Sequence, residues 1–247
     1  MTIGIIGFGR FGAFLAKSLK NISNEKILVY DKLDKSKIAK KIGVSFKNLD
    51  EVCQQDLIIL CVPISEIDNL LKEIKNKVKK EAIIMDTLSV KEYPSKLMKK
   101  YLPIDIEIIA SHPMFGPDSG KYGLKNLQMV FWPLRIKKKN YKKVLDIFKK
   151  LELKIIQMSP KEHDKESALS LCLVHFIGRT MEKMEIPNVK IKTLGYEKLS
   201  EVYKNVKNDS LQLFKDMQTY NKYAKFWRKK FLKSAQEIDN QLKTKIF

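Results

Sequence analysis

The sequence predicts a Rossmann-type, doubly wound α/β domain with a mostly parallel sheet over residues 1–157, followed by a smaller all-helical domain over residues 158–247. Three observations carry this expectation. Short, continuous Ile/Val/Leu runs recur between turn residues through the first part of the chain, as strands buried on both faces require. Helical patterns of about ten to fifteen residues separate them, which is the alternation of βαβ units. Beyond residue 157 the strand-like runs stop and helical periodicity alone remains.

The expected strands are residues 3–6, 27–30, 57–62, 82–85, 106–110 and 128–132, with 153–157 as a last one. Crossover helices are expected over 14–20, 38–42, 67–78, 95–101 and 141–151. Ser159-Pro160-Lys161-Glu162 reads as a capping box with proline at the first helical position: the Ser159 oxygen accepts from the Glu162 N–H, and the Glu162 carboxylate reaches back. A long helix should run from there to about residue 184, ended by Pro187, with further helices over 193–207, 210–220 and 223–243. A small domain of amphipathic helices leaves an apolar face to cover. A second copy is the expected cover, giving a homodimer through the helical domain.

A chain of 247 residues buries roughly 70–75% of its unfolded surface and needs no staples. Cys53, Cys61 and Cys172 lie far apart and form no C-x-x-C pair, so neither a zinc site nor a disulfide framework is indicated; reduced cytoplasmic thiols are expected. The N-terminus lacks the pattern of a signal peptide and no run approaches ~18 apolar residues, so a soluble protein without a membrane partner is expected. The net charge of +20 raises the possibility of a nucleic-acid partner. Against it, Arg10, Arg135, Arg179 and Arg228 are the sole arginines, and the lysines are scattered rather than interleaved with aromatics. Solvated faces are the simpler reading, with an attraction for anionic substrates and cofactors as a by-product.

Gly7-Phe8-Gly9-Arg10-Phe11-Gly12 directly follows the first strand and opens the first helix. In that context Gly7 allows the tight turn, Gly9 a close approach of backbone to a pyrophosphate, and Gly12 close helix–sheet packing, with the helix N-terminus facing the anion. Arg10 and Phe11 within the turn, and Val62-Pro63 at the end of the third expected strand, complete the expected cofactor-binding set. Asp31 closes the second strand, where an acid accepts from the adenosine ribose hydroxyls and repels a 2′-phosphate. That favours NAD over NADP, although a turn aspartate is the plainer alternative and Lys32 and Lys35 could tolerate a phosphate.

Two segments sit at the carboxyl ends of expected strands, where ligands bind in open parallel sheets. They are Asp86-Thr87-Leu88-Ser89-Val90-Lys91 and Ser111-His112-Pro113-Met114-Phe115-Gly116-Pro117-Asp118-Ser119-Gly120. If their strands are neighbours, Ser89 and His112 face one crevice. A lone histidine is more often a packed or surface residue, so position alone leaves His112 open. His175, on a helical face with Asp164, Ala168 and Leu171, could equally be a histidine of the helical core.

These segments, together with Met158-Ser-Pro-Lys-Glu-His-Asp164 and His175-Phe-Ile-Gly-Arg179, resemble the prephenate/arogenate dehydrogenase family in order and spacing over nearly the whole chain. Gly116-Pro117, Ser119-Gly120-Lys121, Thr193, Gly195-Tyr196-Glu197 and Asp209-Ser210 are most similar to the plant-type arogenate dehydrogenases. The resemblance implies oxidative decarboxylation of arogenate or prephenate with hydride transfer to NAD or NADP. It implies His112 as the group that takes the proton of the 4-hydroxyl, a task suited to a neutral imidazole, and Ser89 as its hydrogen-bonding partner. It places His175, Thr193 and Asp209 at the substrate. Asp209 would favour the ammonium of arogenate over the keto group of prephenate; the plainer alternative is an aspartate capping the helix near Ser210. For His163, a capping-related structural role is the expectation.

Two departures stand out. The arginine that pairs with the substrate carboxylate in bacterial relatives has no counterpart in the stretch 203–207, which leaves Arg179, Lys190 and Lys192 for that task. Leu171 stands where the plant-type pattern has a glutamine. Neither a mutase nor a regulatory segment flanks the two expected domains, so a monofunctional enzyme is expected.

Overall fold

The computed structural model describes residues 1–22, 25–187 and 189–243. Its first unit, Met1–His163, is organised by an eight-stranded sheet. The strands are β1 (Ile3–Ile6), β2 (Ile27–Tyr30), β3 (Ser45–Phe46), β4 (Leu57–Leu60), β5 (Ile83–Asp86), β6 (Glu107–Pro113), β7 (Gln128–Arg135) and β8 (Lys154–Gln157). Their order is β3-β2-β1-β4-β5-β6-β7-β8, parallel throughout except where β7 runs against β6. The order reverses between β1 and β4, which opens a crevice at the carboxyl ends of those strands.

β1, β4, β5 and β6 are buried at every position, the signature of a sheet covered on both faces. Alternate residues serve opposite faces. Ile3, Ile5, Val29, Ile59, Met85, Ile109 and Phe131 join one core cluster with Leu15, Ala16 and Leu19 of α1 (Arg10–Ile22), Ala39 of α2 (Ser36–Ile42) and, from further along the chain, Val144 and Phe148. On the other face α3 (Leu49–Cys53) backs β1 so closely that a Cβ on Gly4 would lie 2.7 Å from the Val52 carbonyl. The remaining helices of this unit are α4 (Ile67–Ile74), α5 (Glu92–Tyr101), α6 (Pro117–Gly120) and α7 (Lys138–Lys149).

The boundary between the two units falls inside α8 (Pro160–Ser167), which continues through a π-helical stretch, Ala168–Leu173, into α9 (Val174–Lys183). The expected long helix is therefore present with a π segment in its middle. Wider i→i+5 turns disturb the regular ladder of carbonyls, and Gln218 donates to the Cys172 carbonyl at 2.6 Å. The second unit, Asp164–Phe247, adds α10 (Leu194–Lys207), α11 (Leu211–Tyr220) and α12 (Ala224–Lys243). Gly178 lets α9 and α10 touch: a Cβ there would meet Val206 at 2.9 Å. Buried Asn221 donates to the Asp164 carbonyl at 2.8 Å and ties the end of α11 to α8. On α12, Phe226, Leu232, Ile238 and Leu242 are more than half exposed. No helix among the described residues is long and apolar enough to cross a membrane.

Two strand ends differ from expectation in ways that matter, and three short elements were not expected. β6 extends to Pro113, so Ser111 and His112 are strand residues rather than the start of a loop; β7 draws them in by antiparallel pairing, His112 opposite Val130. β5 includes Asp86. The two-residue β3 and the short α3 and α6 carry too few residues for a periodic signal.

Candidate functional site

β1 ends at Ile6 and α1 starts at Arg10, so Gly7-Phe8-Gly9 makes the whole turn. Gly7 has φ +95°, and a Cβ on it would lie 2.4 Å from the Cys61 carbonyl oxygen; one on Gly12 would lie 2.0 Å from the Gly7 oxygen. Any side chain at either position would push α1 away from the sheet. Gly9 instead faces open space, with nothing within 4 Å of where a Cβ would stand. That clearance, at the N-terminus of a helix, is what a pyrophosphate requires. Asp31, just past β2 and half-buried, accepts from the Phe8 N–H at 2.8 Å and the Leu33 N–H at 3.0 Å, so it fastens the turn and sets its carboxylate beside it. Val62 follows β4 next to Gly7, and Pro63 leads into a short 3-10 turn. Arg10 pairs with Asp118 at 2.8 Å, and Phe11 packs on Phe14 with ring centres 6.3 Å apart. These residues fit a dinucleotide.

At the carboxyl end of β6, His112 is buried, and its Nδ1 lies 2.8 Å from Nε2 of His163, itself 2% exposed. The rings meet edge to face, 5.0 Å between centres. Burial, then the neighbouring His163 and Lys91, hold the His112 imidazole well below the ordinary histidine value, so it is neutral at physiological pH. The capping box forms as expected: Glu162 N–H donates to Ser159 Oγ at 3.4 Å, and the Glu162 carboxylate accepts from Ser159 N–H at 3.1 Å. With that task taken by Glu162, His163 points at His112 instead, a pairing that nothing in the local sequence pattern signals.

Ser89 lies in the loop after β5, the strand beside β6, so the topology brings it to the same sheet edge as His112. The expected hydrogen bond between them is not formed, and Ser89 Oγ is buried without a partner among the described residues.

In the helical unit, His175 on α9 is buried, with Nε2 3.7 Å from Asp209 Oδ2. Burial and the Arg179 charge push its imidazole down to about 4. Ser210 caps α11, its hydroxyl accepting from Leu213 N–H at 3.1 Å, so Asp209 is not the cap. Arg179 donates to Glu182 at 2.6 Å and to the Asp209 carbonyl, which occupies much of the guanidinium proposed for a substrate carboxylate. Thr193 caps α10, accepting from Tyr196 N–H at 3.2 Å. Lys190 and Lys192 are exposed.

The turn and the sheet together define a dinucleotide-binding protein of the Rossmann class. The chain belongs to the prephenate dehydrogenase family: residues 15–157 match its nucleotide-binding domain, and residues 180–246 match the TYRAAT1-like C-terminal domain. It is 36% identical to arogenate dehydrogenase 1, chloroplastic, of Arabidopsis thaliana over 98% of the chain and 39% of that protein. To arogenate dehydrogenase 2, chloroplastic, of the same plant it is 34% identical over 91% of the chain and 65% of the relative. The chain thus spans between about two fifths and two thirds of these relatives' length. Its fold is that of the Aquifex aeolicus prephenate dehydrogenase solved with hydroxyphenyl propionate and NAD+: TM-score 0.79, 20% identity, 98% of this chain and 91% of the other covered.

Proposed function

We propose that this protein is an NAD(P)-dependent dehydrogenase of tyrosine biosynthesis that oxidatively decarboxylates L-arogenate to L-tyrosine. The observation that carries the reading is His112: a buried, neutral imidazole with a buried partner, at the carboxyl edge of a sheet whose first turn fits a dinucleotide. The chemistry of the relatives named above supports the substrate class.

A nicotinamide bound at the glycine turn supplies the hydride acceptor for C4 of the cyclohexadienol. His112 takes the proton of the 4-hydroxyl through Nε2 as carbonyl character develops at C4. The bond from C1 to its carboxylate then breaks, CO2 leaves, and the electron pair completes the aromatic ring, whose oxygen regains a proton. Ser89, with a hydroxyl free to donate or accept, serves the same 4-hydroxyl. His175 and Asp209 are assigned to the substrate side chain, where the carboxylate attracts the ammonium of arogenate and disfavours the keto acid prephenate. Thr193 and Arg179 shape that part of the site through the cap of α10 and the grip on Asp209.

Asp31 supports NAD over NADP. The exposed apolar residues of α12 support a homodimer through the helical unit. Free thiols at Cys53, Cys61 and Cys172 suit a reducing compartment, and the cytoplasm is our assignment.

The test is nicotinamide reduction, followed by absorbance, with arogenate and with prephenate and with each cofactor. The reading expects the highest kcat/KM for arogenate with NAD. A prephenate value equal or higher would make the enzyme a prephenate or dual-substrate cyclohexadienyl dehydrogenase. Turnover of neither would end the enzymatic reading.

A further inference from the structure

One buried charged pair is left unused by the chemistry above. Lys91 is 1% exposed and Asp86 0%, in a part of the protein where a lysine is almost never found unless paired. The Lys91 ammonium donates to Asp86 Oδ2 and to the Ser111 carbonyl. Asp86 in turn accepts from Ser111 N–H at 3.2 Å and from Leu88 N–H at 3.3 Å, while Ser111 Oγ donates to the Asp86 carbonyl at 2.5 Å. Every partner lies next to a residue of the proposed chemistry. Ser111 precedes His112 on β6, and Asp86 and Lys91 bracket the loop that carries Ser89.

We infer that Lys91, together with Asp86, is a positioning residue for His112 and Ser89, a buried cross-link that holds the ends of β5 and β6 and the loop between them in one fixed arrangement. The inference deepens the function proposed above and rests on it. Stability alone does not account for such a pair, because well-packed apolar residues of similar volume often serve a fold as well or better. Its placement does. Ladder pairing between β5 and β6 ends at Met85 and Ile109, so beyond that point the Asp86–Lys91–Ser111 contacts are what hold the two chain segments side by side. The pair also brings a fixed positive charge close to His112. The other titratable group acting on that imidazole is His163 from α8; β7, opposite His112, presents the apolar Val130. Loss of the ammonium therefore makes protonation of His112 easier, and the active neutral form is lost at a higher pH.

Lys91→Met alone leaves Asp86 buried without its cation and is liable to unfold. The deciding variant is the double substitution Asp86→Asn with Lys91→Met, which removes both charges and keeps the volume. The chain has three histidines, so NMR titration of 13C-labelled histidine in the cofactor-free protein follows His112 directly, with the His112→Asn spectrum giving its assignment. The inference expects the His112 midpoint in the double variant to rise, since Lys91, and not Asp86, is the member of the pair whose charge acts on that imidazole. It also expects kcat to fall by about tenfold or more, with KM for the substrate changed less than about threefold and the acid limb of kcat/KM displaced upward. A folded double variant that titrates and turns over like the wild type would overturn it. Should the wild-type protein turn over neither cyclohexadienol, the functional reading fails, while the titration still decides whether Lys91 controls His112.

Discussion

Nδ1 of His112 and Nε2 of His163 lie 2.8 Å apart in a buried contact, so one of the two nitrogens carries the shared hydrogen. If His112 accepts the substrate proton at Nε2, its Nδ1 must donate to His163, and His163 must hold its own proton on Nδ1. His163 thereby fixes both the ring plane and the tautomer of the base, as the third member of a catalytic triad does.

His163→Leu should accordingly lower kcat by roughly ten- to a hundredfold with KM for the cofactor little changed, and His163→Gln, which can still accept, should recover part of the loss. Steady-state kinetics on folded variants checks this. Equal kcat in His163→Leu and the wild type would remove His163 from the mechanism.

Acidification should cost stability through His175. Its folded value of about 4 lies below the ordinary 6.5, so the unfolded chain binds more protons between those limits. The neutral form's advantage is complete above about pH 6.5 and is lost as pH falls toward 4, up to roughly 3 kcal/mol for a group this buried. Denaturant unfolding at pH 7.5 and 4.5 should show a smaller acid loss in His175→Asn than in the wild type; equal losses would show that burial does not disfavour the charged ring.

Asp31 fastens the glycine turn through Phe8 N–H and closes its own turn through Leu33 N–H, and the proposed function adds a ribose to its partners. Asp31→Asn keeps an acceptor oxygen but loses the charge, so the NAD to NADP ratio of kcat/KM should fall by about tenfold. An unchanged ratio would mean that the aspartate serves the turn alone.

Asp209→Asn should raise turnover of prephenate relative to arogenate, because the amide no longer attracts an ammonium or repels an anion. Since Ser210 caps α11, the substitution leaves the helix start intact, and a ratio that stays constant would assign the discrimination elsewhere.

The sheet was legible because buried parallel strands must be apolar at each position, as Leu57–Leu60 is, and because the glycine turn has one steric explanation at Gly7 and Gly12. Ser89 and His112 came to one edge only on the condition that their strands are neighbours, which the sequence left open and the β5–β6 pairing meets. What the sequence did not reveal are relations set by tertiary contact. The direction in which His163 points depends on Glu162 taking the cap, the strand status of His112 depends on pairing with β7, and the Lys91–Asp86 pair joins neighbours whose burial no local pattern announces. The π stretch at Ala168–Leu173 is likewise invisible to a helical periodicity that it barely disturbs.

On the proposed mechanism the imidazole at position 112 removes the proton of the ring alcohol. The most direct measurement is kcat of His112→Asn beside the wild type, each saturated with substrate and cofactor, with folding verified by circular dichroism. The expected result is a fall of roughly 10²–10⁴ with cofactor affinity preserved. A fall smaller than about threefold would contradict it.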